Sequence, residues 1–366
     1  MASVESYETK AGKRFTVRYR KPDHSMGRKS GFKRKRDAQD YASHVETRIS
    51  DGDYIDPKGG LTPVAELATR WMKSHRHIWK PSYMSPVQSA WRIHVQPKWG
   101  TRAIGSILRS EVQEWVSKLS ETHSPSLVLR AFGILKGVFA MAVDDGLIRD
   151  AGAVRRIGLP RKPSRKEDRH YLDPIQLVEL SDNCGNHRAL ILTLGFCGIR
   201  WGEAAGLRAK DVDLRNQRIH VRRNIVRVNG EYIEGTPKSW EIRDVPIPGK
   251  LIPVLAQAKL GLGREDHLFT DEDGHSPRPQ SVGKGAHGWW AKALEAQGLE
   301  LMPPHDLRHT AASIAVSSGA NVKALQRMLG HKSAAMTLDT YADLFDSDLD
   351  GVAQGISDRI PDLKCA

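Results

Sequence analysis

The chain has 366 residues, 39% of them hydrophobic, which is enough for two or three packed domains and too apolar for a disordered chain. Its 56 Lys and Arg against 43 Asp and Glu leave a net charge of +13, so the expected partner is a polyanion, either nucleic acid or an anionic membrane surface. The cysteines, Cys184, Cys197 and Cys365, lack CxxC spacing, which argues against a disulfide framework or zinc ribbon and suits a reducing cytoplasm.

Positive charge is concentrated at the start. Residues 1–36 hold twelve basic side chains and three acidic ones, a local balance of +9. Met1-Ala2-Ser3-Val4-Glu5 is not followed by an apolar segment, so no signal peptide is expected. Residues 14–20, Arg-Phe-Thr-Val-Arg-Tyr-Arg, alternate aromatic or β-branched residues with polar and basic ones, the period of a half-buried strand. A second short strand is expected over 30–33. A helix is expected over 35–49, where Ala38, Tyr41, Ala42, Val45 and Ile49 recur at three- and four-residue steps. A small sheet backed by one helix, with Arg14, Arg18, Arg20, Arg28, Lys29, Lys33, Arg34 and Lys35 exposed, can offer a β-ribbon to a DNA groove. The plainer alternative is a solvated basic tail.

Residues 52–60 are rich in turn formers and read as a linker. Thr62 is the expected N-cap and Pro63 the first residue of a helix with an apolar stripe of Val64, Leu67, Ala68, Trp71 and Met72. Further helices are expected at 85–94, 109–119 and 126–144. A second linker, 159–166, combines prolines with Arg161, Lys162 and Arg165, and fits either a strap along a phosphate backbone or a passive spacer. Beyond it the pattern is mixed. Helices at 175–183 and 188–197 precede strands at 217–228 and 231–233, joined by the hairpin signal Asn229-Gly230. A strand at 243–247 follows, then helices. The apolar run at 189–197 is far short of the ~20 residues that span a membrane.

Four segments carry reactive side chains: Gly198-Ile199-Arg200-Trp201-Gly202-Glu203, Pro304-His305-Asp306-Leu307-Arg308-His309-Thr310, Leu329-Gly330-His331, and Thr337-Leu338-Asp339-Thr340-Tyr341-Ala342-Asp343. Displacement at a phosphodiester needs a nucleophile, cations for the non-bridging oxygens and a proton for the leaving oxygen. A tyrosine phenol can attack and leave again. Because its ordinary pKa is ~10, nearby cations must help it ionise. The planar arginine fork grips two phosphate oxygens at once. His305 and Arg308 stand one helical turn apart, and Glu203 lies within reach of Arg200. His305 and His309, four apart, have a zinc spacing, but Asp306 replaces the glutamate of HExxH and Arg308 would set a positive charge beside the cation. No metal or other cofactor is expected, and His309 reads as a packing or supporting residue. Taken singly, each has a plain alternative: Tyr341 as a core anchor, Arg200–Glu203 as a surface ion pair, His331 as a loop histidine.

In this order the motifs resemble the tyrosine recombinases, the phage-integrase family, over most of the chain. The resemblance implies catalytic roles for Arg200, His305, Arg308, His331 and the nucleophile Tyr341, with Glu203 in support. It also implies that Lys238 is the general acid, since Thr236-Pro237-Lys238-Ser239 precedes Arg243-Asp244-Val245-Pro246-Ile247 as a lysine on a β-turn before a strand ending in Val-Pro. Pro237 and Trp240 depart from the commoner pattern around that lysine, which leaves Lys250 and Lys210 as alternatives, neither of them in a hairpin context. The implied fold is α+β and multidomain. An arm-type DNA-binding sheet and helix would occupy 1–57, and an all-helical (SAM-like) core-binding domain 61–158. A mainly α catalytic domain with a small antiparallel sheet would occupy 168–366. The implied activity is site-specific recombination through a 3′-phosphotyrosine in a homotetramer on double-stranded attachment sites, with a host DNA-bending protein and an excisionase as further partners. Two alternatives stay open: a type IB topoisomerase-like DNA relaxation enzyme, and a non-catalytic DNA-binding regulator on the same fold.

Overall fold

The computed structural model describes the chain except residues 1, 53, 57, 163–170, 237–241, 281, 284, 342–356, 359 and 361–366. Lys238 and Arg165 therefore lie outside the described residues. The chain divides into two compact units, Met1–Lys162 and Pro163–Ala366.

The first unit opens with the antiparallel sheet β1 (Ser3–Thr9), β2 (Gly12–Arg20) and β3 (Met26–Phe32), followed by helix α1 (Lys35–Ser50). Alternation along β2 explains the packing. Val17 and Tyr19 turn inward onto Ala38, Ala42 and Val45 of α1, forming a small core of their own. Strand β1 was not expected from the sequence, because its Glu and Ser residues lack a strand's usual apolar alternation. β3 begins four residues before the expected 30–33 segment, its edge position allowing a polar sequence.

A helical bundle completes this unit: α2 (Val64–His75), α3 (Pro81–Ala90), α4 (Gln96–Trp99), α5 (Arg109–Thr122) and α6 (Pro125–Asp144). The cap of α2 is Pro63 rather than Thr62, one residue later than expected. The predicted 85–94 helix is α3 continuing through a π-helical turn, Trp91–Val95, into α4. Helix α6 is the one described helix long and apolar enough to cross a membrane. Its Val128, Phe132, Leu135, Val138 and Phe139 pack instead into the bundle core with Leu67, Trp99 and Val116.

The second unit begins with α7 (Pro174–Asp182), α8 (Arg188–Cys197) and the short α9 (Trp201–Ala205). Strands β4 (Val212–Asp213), β5 (Arg218–Val221), β6 (Asn224–Val228), β7 (Glu231–Gly235) and β8 (Arg243–Pro246) follow. The expected single strand over 217–228 is two strands in different sheets. β5 lies between β4 and β8, while β6 pairs with β7 in a separate sheet. The break falls at Arg222-Arg223, where two adjacent charges interrupt the alternation. The hairpin at Asn229-Gly230 is present, both residues having the positive φ (52° and 95°) that its tight turn requires. Helices α10 (Ile252–Lys259), α11 (Trp289–Ala296), α12 (Leu307–Ser317), α13 (Val322–Leu329) and α14 (Ala334–Tyr341) complete the described fold. The apolar α8 runs through the main core with Leu177, Ile219, Val245 and Trp290. Ala312, Val316, Leu325, Leu329 and Tyr341 form a smaller core beneath the last helices.

Candidate active site

Three helix ends meet at the site. Helix α8 stops at Gly198, whose left-handed conformation (φ 63°) turns the chain so that Arg200 becomes the N-cap of α9 instead of lying within a helix. Helix α13 stops at Gly330, again left-handed (φ 65°), which brings His331 back toward α12. A side chain at Gly330 would collide with Arg243, which a Cβ would meet at 2.9 Å.

The carbonyls freed at these two ends are taken by the arginines. Arg308, 4% exposed, donates from one Nη to the Gly198 carbonyl at 2.6 Å and from the other to the Leu329 carbonyl. Arg200 donates to the Gly330 carbonyl at 3.2 Å and to Oε1 of Glu203 at 2.8 Å. The two guanidiniums therefore converge on the single loop Leu329–Gly330–His331. His305 is exposed in the turn before α12, its ring 5.7 Å from that of His309.

Glu203 is fully buried, so its ion pair with Arg200 is not the surface contact that spacing alone allows. Its principal partner is a residue that motif reading passed over. Arg243, on β8, donates to both carboxylate oxygens at 3.0 and 2.7 Å and places Nε on the Met328 carbonyl at 3.0 Å. A signal existed: two-residue periodicity puts Arg243 on the same face as the core residue Val245, and a charge at an inward position requires a partner.

Burial and neighbouring charge together set the protonation states. Burial works against the Glu203 carboxylate, but the Arg243 and Arg200 guanidiniums and the Arg200 backbone N–H overcome it and hold the group at about 2. Burial, then the charge of Arg200, lowers Arg308 to about 9. Burial, then the positive charge of Arg308, Arg200 and Arg243, lowers His331 to about 4, so its imidazole is neutral at pH 7. A cluster of three guanidiniums with one carboxylate is a site that gains from a bound anion.

Tyr341, 1% exposed, closes the site from α14. Its ring lies parallel to that of His331, at 6.2 Å and 8° between planes. Its hydroxyl is 2.8 Å from Nδ1 of His309, the residue read from sequence as packing or support. His331 Nδ1 instead meets Thr337 Oγ1 at 2.9 Å, and the His331 backbone is tied to Gln326 through N–H and carbonyl. Thr337 and Gln326 were not legible as site residues, nor was the bond between His309 and Tyr341, since these contacts depend on how α12, α13 and α14 pack.

In the first unit, Arg18 and Arg28 face each other directly across β2 and β3, and Arg14 and Arg20 share the open face of the sheet with them. Glu5 offsets Arg18 at 3.4 Å, with both side chains about half exposed. Lys29 does not belong to that face; its ammonium lies over the Tyr41 ring at 4.4 Å, on the helix side. Lys33, Arg34 and Lys35 cluster, exposed, at the start of α1, and Arg161 and Lys162 are exposed where the first unit ends.

The sequence model of the phage integrase family matches residues 170–348, and that of the phage integrase central domain matches 64–156. The chain is 28% identical over 284 residues to a putative prophage phiRv2 integrase of Mycobacterium tuberculosis, covering 75% of this chain and 73% of the relative. It is also 28% identical to the transposase from transposon Tn916 of Enterococcus faecalis, over 68% of this chain and 67% of the relative. In fold it is similar to the Tn1549 transposon integrase in complex with transposon right end DNA, with a TM-score of 0.64 and 24% identity over 80% of this chain and 100% of that one. A lambda integrase dimer bound to a COC′ core site superposes with a TM-score of 0.57 at 16% identity, over 92% of this chain and 93% of that one. With two family models spanning the helical and the catalytic segments, and arginines, histidines and a tyrosine gathered at one anion-seeking loop, the chain belongs to the phage integrase family of site-specific tyrosine recombinases.

Proposed function

We propose that this recombinase integrates, and excises, a phage or mobile element by cutting and rejoining duplex DNA through a 3′-phosphotyrosine at Tyr341. The observation that carries the reading is the convergence of Arg200, Arg308, His331 and Tyr341 on the Leu329–His331 loop. A scissile phosphate bound there would exchange the arginines' carbonyl partners for its own non-bridging oxygens, a stronger charge-assisted contact. Tyr341 attacks phosphorus, the bond to the 5′ oxygen breaks, and that oxygen takes a proton from Lys238, supplied by the segment between β7 and β8. The 5′ hydroxyl of a second duplex reverses the step and releases the tyrosine, so no nucleotide or metal is consumed.

Recognition is divided along the chain in this reading. The open face of β2–β3, with Arg14, Arg18, Arg20 and Arg28, contacts arm-type sites, helped by Lys33, Arg34 and Lys35. The helical segment 61–158 contacts the core site, and Arg161, Lys162 and Arg165 follow the phosphate backbone. Cross-strand arginines such as Arg18 and Arg28 repel each other in a free sheet. A polyanion relieves that repulsion, which supports DNA as the ligand. Four copies act on paired attachment sites in the host bacterial cytoplasm, with a host DNA-bending protein and an excisionase setting efficiency and direction.

The test uses a nicked core-site duplex that traps cleavage. The wild type should form an SDS-resistant protein–DNA adduct, and Tyr341→Phe should bind the same DNA without forming it. Persistence of the adduct in Tyr341→Phe would sink the assignment. A 5′-bridging phosphorothioate, whose sulfur leaves with little protonation, should rescue Lys238→Ala; an equal defect on both substrates places the acid elsewhere.

A further inference from the structure

We infer that His309, rather than His331, takes the proton from the Tyr341 hydroxyl when the tyrosine attacks, and returns it when the strand is resealed. The inference rests on the recombinase reading above and assigns a catalytic residue within that same site.

Geometry separates the two histidines. The Tyr341 hydroxyl is 2.8 Å from His309 Nδ1, within the range over which a proton passes directly. His331 is stacked on the tyrosine with ring planes only 8° apart and centroids 6.2 Å apart. Its Nδ1 is also engaged with Thr337 Oγ1 at 2.9 Å. Burial, and then the positive neighbours, hold His331 near 4 and make it a weak proton acceptor, suited to donating a hydrogen bond to a phosphate oxygen instead.

Position supports the assignment. His309 follows Arg308 on α12, whose guanidinium is held at the loop where the phosphate would bind, so the base and the phosphate-binding cation share one rigid helix. The ring of His305 lies 5.7 Å from that of His309 in an edge-on arrangement, and His305 itself is exposed.

The step balances. With the imidazole proton on Nε2, Nδ1 accepts the phenol hydrogen as Tyr341 oxygen bonds to phosphorus, giving an imidazolium and a phosphotyrosine. The electron pair of the broken bond leaves on the 5′ oxygen, which is protonated by the general acid. In resealing, the 5′ hydroxyl attacks and gives its proton back to the general acid, the bond from phosphorus to the tyrosine oxygen breaks, and the phenolate recovers its proton from His309.

The test combines His309 substitution with fluorinated tyrosine at position 341, using the full-length chain on the nicked core duplex at pH 7. His309→Ala should bind DNA as the wild type does and cleave it about 10²–10⁴-fold more slowly, the usual contribution of a general base. Replacing Tyr341 with 3,5-difluorotyrosine, whose phenol ionises more readily, should restore much of that loss in His309→Ala while changing the wild type little. If His309→Ala does not fold, His309→Asn, which keeps a polar side chain but cannot hold the proton, is read in the same way. Cleavage within a few-fold of wild type, or a defect equally large with the fluorinated phenol, overturns the inference and leaves His309 a packing residue. Absence of any adduct from the wild type would instead overturn the recombinase reading itself.

Discussion

Arg243 grips both carboxylate oxygens of Glu203, at 3.0 and 2.7 Å, although the two residues are 40 positions apart and helical spacing pairs Glu203 with Arg200 instead. The contact ties β8 to α9, and through Arg243 Nε on the Met328 carbonyl it also ties both to the end of α13. Glu203 thus holds Arg200 on one side and Arg243 on the other, so the arginine that would meet phosphate is aimed by a carboxylate that never reaches solvent.

Removing Arg243 should therefore damage both stability and cleavage. Arg243→Ala leaves a buried carboxylate short of its main partner, a change that costs about 3–5 kcal/mol in comparable pairs. Arg243→Lys retains charge but loses the two-oxygen grip and should fall between Ala and wild type in cleavage. Urea denaturation and adduct formation, measured on the same preparations, check this. Cleavage by Arg243→Ala at the wild-type rate would show that Arg200 is aimed without it.

Glu203 also predicts an acid dependence. Its carboxyl lies at about 2 in the folded chain against an ordinary 4.5. A depressed carboxyl stabilises the fold above its unfolded value, and that contribution fades as pH falls from 4.5 toward 2. It amounts to roughly 3 kcal/mol at neutral pH. Glu203→Gln should be less stable at pH 7 and show a flatter fall in stability across this window, by denaturant titration at several pH values. Parallel curves for the two proteins would contradict the assignment.

Arginine geometry at the loop matters as much as charge. Arg200→Lys and Arg308→Lys should each lower the cleavage rate by orders of magnitude, since a single ammonium cannot replace a planar fork that serves two oxygens. Arg308→Lys should also loosen the α8 and α13 ends, because the Gly198 and Leu329 carbonyls lose their common donor. Single-turnover cleavage with DNA affinity measured in parallel separates the two effects, and near-normal cleavage by either variant would make that arginine structural.

His331 should titrate at about 4 in the free protein, well below an ordinary histidine, because burial and three arginines oppose its charge. A bound phosphodiester offsets those arginines, so the value should rise on addition of core DNA. A neutral methylphosphonate at the scissile position should produce a smaller rise. Imidazole proton NMR across pH 3–8 reads all three states, and an unchanged value with DNA would mean that the phosphate binds elsewhere.

On the N-terminal sheet, Arg18→Glu with Arg28→Glu should weaken DNA binding and reduce the salt slope by about two phosphate contacts, while the fold survives because both side chains are exposed. Footprints over a complete attachment region should lose the arm-type protections and keep those at the core. Loss of both together would mean that the sheet does not form a separate recognition surface.

Much of this was determined by the sequence alone, for local reasons. Alternation over 14–20 specifies a strand. Asn229-Gly230 specifies a tight turn because both residues tolerate positive φ. A glycine after Leu329 ends α13 and sets His331 just beyond it. The ordered Arg, His-x-x-Arg, His and Tyr motifs are legible for the same reason, since each is a short pattern with its own chemistry. Tertiary structure decided the rest. No spacing rule links Glu203 to Arg243, or His309 to Tyr341 across 32 residues. Nor does periodicity reveal that 217–228 divides between two sheets. These relationships arise where helix ends and strands from distant parts of the chain pack together, and burial then forces each charged or polar group to find a partner that its neighbours in sequence do not supply.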